Sequence, residues 1–142
     1  MNDRSANMRA NKSKNTSPEL RVRRALHALG LRYRLHDKKL PGKPDVVLRS
    51  RRTVVEVRGC YWHGHEGCKL ASAPARNTEY WGPKLARTRQ RDADNEAALT
   101  AAGWRVVVIW ECATRDPARL AAAAQEVADI PRGALKRISR PR

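Results

Sequence analysis

The chain has 142 residues, with 30 Lys and Arg against 14 Asp and Glu and a formal net charge of +16. That length suits one domain with a core of moderate size. No apolar run approaches the roughly 20 residues of a membrane span. The start, Met1-Asn2-Asp3-Arg4, lacks an apolar signal region, so the cytoplasm is the expected compartment.

The charge is uneven. Residues 1–40 hold 11 basic and 3 acidic side chains, and residues 131–142 hold 5 basic and none acidic. A folded centre between two basic arms is the footprint of a polyanion binder. The bland alternative is a well-solvated protein whose Arg and Ala richness reflects a high-GC genome.

Residues 1–16 are polar and basic and read as an N-terminal arm. Ser17-Pro18 predicts a helix start, with Ser at the N-cap and Pro at N1. The helix runs to Leu29, with Leu20, Ala25, Leu26 and Leu29 inward, and stops at Gly30. Leu31 to Leu35 reads as a short edge strand, and Leu40-Pro41-Gly42-Lys43-Pro44 as a rigid turn. Asp45 to Arg49 and Thr53 to Val57 are β-branched runs around a basic turn, which predicts an antiparallel hairpin. Gly59 to Trp81 is expected to be irregular and to need a staple. Pro83 to Ala102 reads as a helix with a charged face (Arg87, Arg89, Arg91, Asp92, Asp94 and Glu96). Trp104 to Trp110 is almost continuously apolar, so it is expected to be a central strand buried on both faces. Pro117 to Val127 is an Ala-rich helix, and residues 131–142 form a basic tail. The expected fold is α/β, a small mixed central sheet flanked by helices over residues 17–130.

Cys60-x4-His65-x2-Cys68 supplies three metal ligands within nine residues. Cys112, just after the last predicted strand, can supply a fourth. Cys₃His is a standard set for structural Zn²⁺, and this assignment uses every Cys in the chain. Three cysteines, an odd number, fit a disulfide framework poorly. His63 and His65 could exchange roles; His65 is favoured as ligand because that leaves His63 beside the hairpin end. The alternative is that Cys112 is an ordinary buried strand-end thiol.

Asp45 opens one hairpin strand and Glu56 lies near the end of the next, so both side chains can reach one rim. Two hard oxygen ligands with Mg²⁺ suit phosphodiester hydrolysis. Arg58, two residues after Glu56, points to the same face and can sit by a scissile phosphate. Glu19 can join as an outer carboxylate or second metal ligand, and His63 can activate water or protonate the leaving oxygen. Alone this pattern is weak, since Glu56 and Arg58 could be an ordinary ion pair. Beside the zinc ligands and the basic arms it points to a DNA nuclease.

Four Trp, three Tyr and no Phe leave few aromatics to place. Trp104 and Trp110 bound the apolar strand and read as core. Tyr61, Trp62 and Trp81 lie in the irregular segment, where they can wedge into a base stack or cover the zinc site. Lys84 and Arg91 complete the expected DNA-contacting set.

These residues resemble the very-short-patch repair (Vsr) mismatch endonucleases over roughly residues 5–113. The resemblance rests on Asn7-Met8-Arg9-Ala10, Glu19, Pro41-Gly-Lys-Pro-Asp45, Gly59-Cys-Tyr-Trp-His63, Thr78-Glu-Tyr-Trp81, Arg91-Asp92 and Gly103-Trp-Arg-Val…Trp110-Glu-Cys112. It implies a PD-(D/E)xK, restriction-endonuclease-like fold with a structural zinc. It also implies a Mg²⁺-dependent nick beside the thymine of a T:G mismatch in double-stranded DNA. By that resemblance Asp45 is the central Mg²⁺ ligand, the Val57 carbonyl a further ligand, Glu19 a supporting carboxylate and His63 the catalytic histidine. Cys60, His65, Cys68 and Cys112 hold zinc. Tyr61, Trp62 and Trp81 enter the base stack from one groove and Met8 from the other. The chain departs from a well-known branch at Val57-Arg58, where that branch has Thr-His, and Glu56-x-Arg58 offers a direct metal ligand instead. Thr88 replaces a frequent Asn, and the loop before Cys68 is one residue longer. A monomer acting with unnamed repair proteins is expected. The alternatives are a nuclease of the same fold with another specificity, or a zinc-stapled DNA-binding module without activity.

Overall fold

The computed structural model describes residues 16–61, 63–65, 67–69 and 78–132, with the side chains of 78–81 left out. Almost all of both basic arms therefore lies outside the described residues, as do Met8, Trp62 and the Trp81 side chain.

Helix α1 spans Ser17–Ala28. Its cap is Thr16, one residue earlier than expected, whose hydroxyl accepts from the Glu19 N–H at 3.4 Å. The buried stripe is Glu19, Val22 and Leu26. Leu20 and Leu29, expected inward, are 36% and 43% exposed. The facing helix decides the stripe, and that stripe contains a carboxylate that a search for apolar spacing passes over.

Strand β1 is Arg34–Leu35, β2 is Val46–Leu48, β3 is Thr53–Arg58 and β4 is Arg105–Trp110. Their order is β1-β2-β3-β4, with the first two pairings antiparallel and β3–β4 parallel. The expected hairpin is β2–β3, closed by a 3₁₀ turn at Arg49–Arg51 and a left-handed Arg52. The parallel β3–β4 pair needs a crossover, and helix α2, Thr78–Ala101, supplies it. Pro83 lies inside α2 rather than at its start.

The expectation that Trp104 to Trp110 forms the central strand is corrected. Strand β4 is the edge of the described sheet, and Ile109 is its only buried residue. The run is apolar on both faces because helices cover both faces, not because strands flank it on both sides. The central strands are β2 and β3. A short helix α3, Glu111–Thr114, follows β4 directly and was not anticipated. Helix α4, Pro117–Ala128, is capped by Asp116, whose carboxylate accepts from the Ala118 N–H at 3.0 Å.

Period-two burial divides the sheet between two cores. On one face Val46, Leu48, Val55 and Ile109 meet Val22 and Leu26 of α1 and Ala124 and Val127 of α4. On the other, Val47 and Val54 meet Leu99 of α2 and Trp104. The result is a four-stranded mixed sheet between helical layers.

The observed α1 register makes a test. Leu26→Ala, at a fully buried position, should lower unfolding free energy by about 2–5 kcal/mol. Leu29→Ala should change it by roughly 0.5 kcal/mol or less. Denaturant titration of both variants measures the difference, and equal losses would contradict this register.

Candidate active site

The site forms where β2 and β3 open out at the end away from the 3₁₀ turn. The turn before β2 fixes Asp45. Gly42 there has φ +74°, and a β-carbon on it would lie 2.7 Å from Asn95 Nδ2 of α2. Pro44 is fully buried. The chain thus reaches Asp45 already seated on the fold, and the Val57 N–H donates to Asp45 Oδ2 at 2.7 Å.

Glu19 comes to the same place from α1. It is 3% exposed, a carboxylate set in an apolar stripe. Its Oε2 accepts from Arg23 Nη2 at 2.9 Å and lies 3.0 Å from His36 Nε2. Ligand atoms of Glu19, His36 and Asp45 all lie within 4.8 Å of one another, a spacing that can hold a cation. Burial pushes the Asp45 pKa up to about 6; the Val57 N–H opposes this, the carboxylates of Glu19 and Glu56 add to it, and His36 offsets part.

Sequence reasoning missed His36. Its place follows from the register, since the pairs Arg34–Val47 and Leu35–Val46 extend by one to His36 and Asp45, and no sequence motif marks that match. The His36 N–H does donate to the Asp45 carbonyl at 3.2 Å.

A second charged group joins β3 to α2. Arg58 is 7% exposed. Its Nη2 donates to Glu56 Oε1 at 2.7 Å and to Glu96 Oε2 at 2.8 Å, and its Nε lies 4.0 Å from Asp92 Oδ2. Burial works against the guanidinium charge, but the bonds to Glu56 and Glu96 outweigh it and raise the pKa. Glu56 and Arg58 do share a face, as strand alternation requires. Glu56 stands outside the Glu19–His36–Asp45 group, with its carboxylate bonded to Arg58. His63 Nδ1 lies 2.6 Å from Asp92 Oδ2, so Asp92 serves both His63 and Arg58. In the sequence Asp92 and Glu96 stand on a charged helix face, and Asp92 also belongs to the resemblance through Arg91-Asp92, but neither is assigned a partner there.

The third group is sulfur-rich. Ligand atoms of Cys60, His65, Cys68 and Cys112 all lie within 4.8 Å of one another. A tetrahedral zinc site with Zn–S of about 2.3 Å and Zn–N of about 2.1 Å has S–N edges of about 3.6 Å. Cys112 Sγ and His65 Nδ1 are 3.6 Å apart. The donor set and this spacing both fit Zn²⁺. His65 belongs to the group and His63 does not. The His65 ring stacks on Trp110 with centroids 4.1 Å apart and planes 7° from parallel. Trp110 is half-buried against this loop, while Trp104 lies in the second core. The Cys112 N–H donates to Cys60 Sγ at 3.3 Å, and Arg119 Nη2 donates to Cys112 Sγ at 3.5 Å. Burial pushes the metal-free Cys60 thiol up to about 12; a bound dication would reverse that.

Tyr61 is 6% exposed, so its ring is packed inside the loop rather than offered to solvent. Lys84 is half-buried and Arg91 exposed, both on α2.

The sequence pattern of the DNA mismatch endonuclease Vsr family matches residues 1–69. The Type II nicking enzyme V.XorIIP of Xanthomonas oryzae pv. oryzae is 50% identical over 118 residues, 83% of this chain and 86% of that enzyme. The DNA mismatch endonuclease Vsr of Escherichia coli K12 is 41% identical over 117 residues, 82% of this chain and 74% of its own length. The Type II nicking enzyme V.NmeAIP of Neisseria meningitidis is 43% identical over 106 residues, 75% of each chain. This chain belongs to the Vsr family. It is accordingly a DNA endonuclease, and its mixed sheet with flanking helices is the restriction-like fold expected of a Vsr enzyme. No helix among the described residues is long and apolar enough to cross a membrane.

The raised Asp45 pKa gives a stability test. The unfolded value is near 3.8 and the folded value about 6. Between them the folded state holds the extra proton, so stability falls as pH rises through that window. Without added divalent metal, Asp45→Asn keeps an acceptor for the Val57 N–H and removes the buried charge. It should melt several degrees above the unsubstituted protein at pH 7.5, and the gap should close towards pH 4.5. Calorimetric scans across that range check this; a variant that melts lower throughout would mean the charge is stabilised in place.

Proposed function

We propose that this Vsr-family endonuclease nicks double-stranded DNA beside the thymine of a T:G mismatch, using Mg²⁺. The observation that carries the reading is the meeting of two carboxylates, Glu19 and Asp45, at the open end of the hairpin. It is supported by identity to the Escherichia coli relative, which is named a mismatch endonuclease.

Asp45 would hold the metal with Glu19, the Val57 carbonyl completing the set and Glu56 approaching from the rim. Bound Mg²⁺ would polarise the scissile phosphate and lower the pKa of a coordinated water. His63 is anchored at Nδ1 by Asp92. That leaves Nε2 to exchange a proton with the water or the leaving oxygen. Arg58, 4.0 Å from Asp92, would favour the charged carboxylate that His63 meets. Lys84 and Arg91 would contact the phosphate backbone from α2. Cys60, His65, Cys68 and Cys112 would hold Zn²⁺ and pin the loop that carries His63.

A second reading, a nuclease of the same fold with another DNA specificity, is favoured by one observation. Two relatives, at 50% and 43% identity, are named Type II nicking enzymes. A labelled duplex with one T:G mismatch and its matched control separate the two readings. With Mg²⁺, a nick confined to the thymine strand of the mismatched duplex is expected. Equal cutting of both duplexes would move the specificity elsewhere. Asp45→Ala should abolish the nick and spare binding.

The zinc assignment has its own test. The purified chain should carry one equivalent of zinc, and Cys68→Ser should lose it and melt well below the unsubstituted protein. A zinc-free protein with unchanged melting would sink the assignment.

A further inference from the structure

His36 follows the last residue of β1, and its φ of +47° lies in the left-handed region, which residues with a β-carbon adopt at a cost. Its N–H donates to the Asp45 carbonyl, which ties the two residues together through the backbone. Its Nε2 then lies 3.0 Å from Glu19 Oε2. Two adjacent ligands of a six-coordinate ion at about 2.1–2.2 Å lie about 3.0 Å apart, and opposite ones about 4.3 Å. The 3.0 Å between Glu19 and His36 matches adjacent ligands, and the atoms of Glu19, His36 and Asp45, all within 4.8 Å of one another, could together hold one ion. The site already draws a cation: the Arg23 guanidinium is 2.9 Å from Glu19 Oε2 and 3.3 Å from His36 Nε2.

We propose that His36 is a direct ligand of the catalytic metal, making a Glu19–His36–Asp45 site that prefers Mn²⁺-type cations to Mg²⁺. The inference rests on the reading that Asp45 and Glu19 hold the metal. Magnesium demands oxygen donors and keeps its waters, whereas Mn²⁺, hard but a transition ion, tolerates one imidazole nitrogen among oxygen ligands. One nitrogen in the set therefore shifts the preference.

The competing role is a plain hydrogen bond that orients Glu19. His36→Gln separates the two, because the Gln amide can still donate to Glu19 but offers no nitrogen ligand. The zinc-loaded full-length protein, without DNA, is titrated with Mn²⁺ and with Mg²⁺ by calorimetry. Bound Mn²⁺ is then examined by pulsed electron paramagnetic resonance for nitrogen coupling. The unsubstituted protein should bind Mn²⁺ at least about tenfold more tightly than Mg²⁺ and show nitrogen coupling. His36→Gln should lose the coupling and at least about tenfold in Mn²⁺ affinity, with its zinc content and melting temperature unchanged. Unaltered Mn²⁺ binding in His36→Gln, or no nitrogen coupling in the unsubstituted protein, overturns the ligand assignment and leaves the carboxylate site intact. Undiminished Mn²⁺ binding by Asp45→Asn is a different result: it overturns the underlying metal reading and this inference with it.

Discussion

Strand β3 is paired on both edges, and the register of those two pairings decides where each functional side chain lies. On one edge the antiparallel match of Val46 with Val55 brings Asp45 to the Val57 N–H. On the other, the parallel match runs from Thr53–Arg105 to Arg58–Trp110. The same offset carried two residues further sets Cys60 against Cys112, whose N–H bonds the Cys60 sulfur. A slip of one residue on that edge would shift Cys112 by about 3.3 Å and turn its side chain to the other face. Core packing forbids the slip, because Val55 and Ile109 must lie under α1 and α4 while Val54 lies under Leu99. The sheet register, set by apolar burial, is thus what assembles both polar sites.

Those sites place charge where a fold built for stability would not. Glu19 occupies a core stripe, and Asp45 faces it across the hairpin end. Removing two carboxylates from water is costly, and their mutual repulsion adds to the cost. Arg23 and His36 offset part of it in the metal-free chain. Around Arg58 the balance differs. One buried guanidinium meets Glu56 and Glu96 directly, with Asp92 at 4.0 Å. One guanidinium does not balance three carboxylates, but each of them lies within 4.0 Å of it, whereas Asp45 meets the Val57 N–H and the like charge of Glu19. The second network is suited to holding α2 against β3, and the first to receiving a cation.

Much of this arrangement was legible in the sequence. The hairpin followed from two β-branched runs, three members of the Cys/His group from their spacing, and Cys112 from its place after the last predicted strand. Expectation and structure differ where distant contacts decide. Leu20 and Leu29 continue the apolar pattern of α1 as well as Val22 does, and only the position of α4 selects Val22. The Trp104 to Trp110 run reads as doubly buried, and burial on two faces cannot reveal whether a strand has one neighbour or two. The acidic partners of Arg58 lie 34 and 38 residues away on α2, beyond any local pattern. His36 sits in a stretch with no motif, and its place beside Asp45 depends on a two-residue strand.

Val57, Arg58 and Cys60 lie within four residues and face three different tasks. Val57 offers its N–H to the carboxylate that would bind the catalytic metal. Arg58 reaches to α2 and shares Asp92 with His63. Cys60 belongs to the sulfur-rich group. A paired strand is stiff over such a distance, so the three tasks hold fixed relative positions without separate supports. The donors are also sorted by chemistry along the strand, with hard oxygens before Arg58 and soft sulfurs after it. Zinc and a hard or borderline cation would then each meet a ligand set that suits it. His63 lies two residues before His65 on the loop that the sulfur-rich group would close. Disturbing that group should therefore displace His63 before it disturbs Asp45, because Asp45 is fixed independently by β2 and by Pro44.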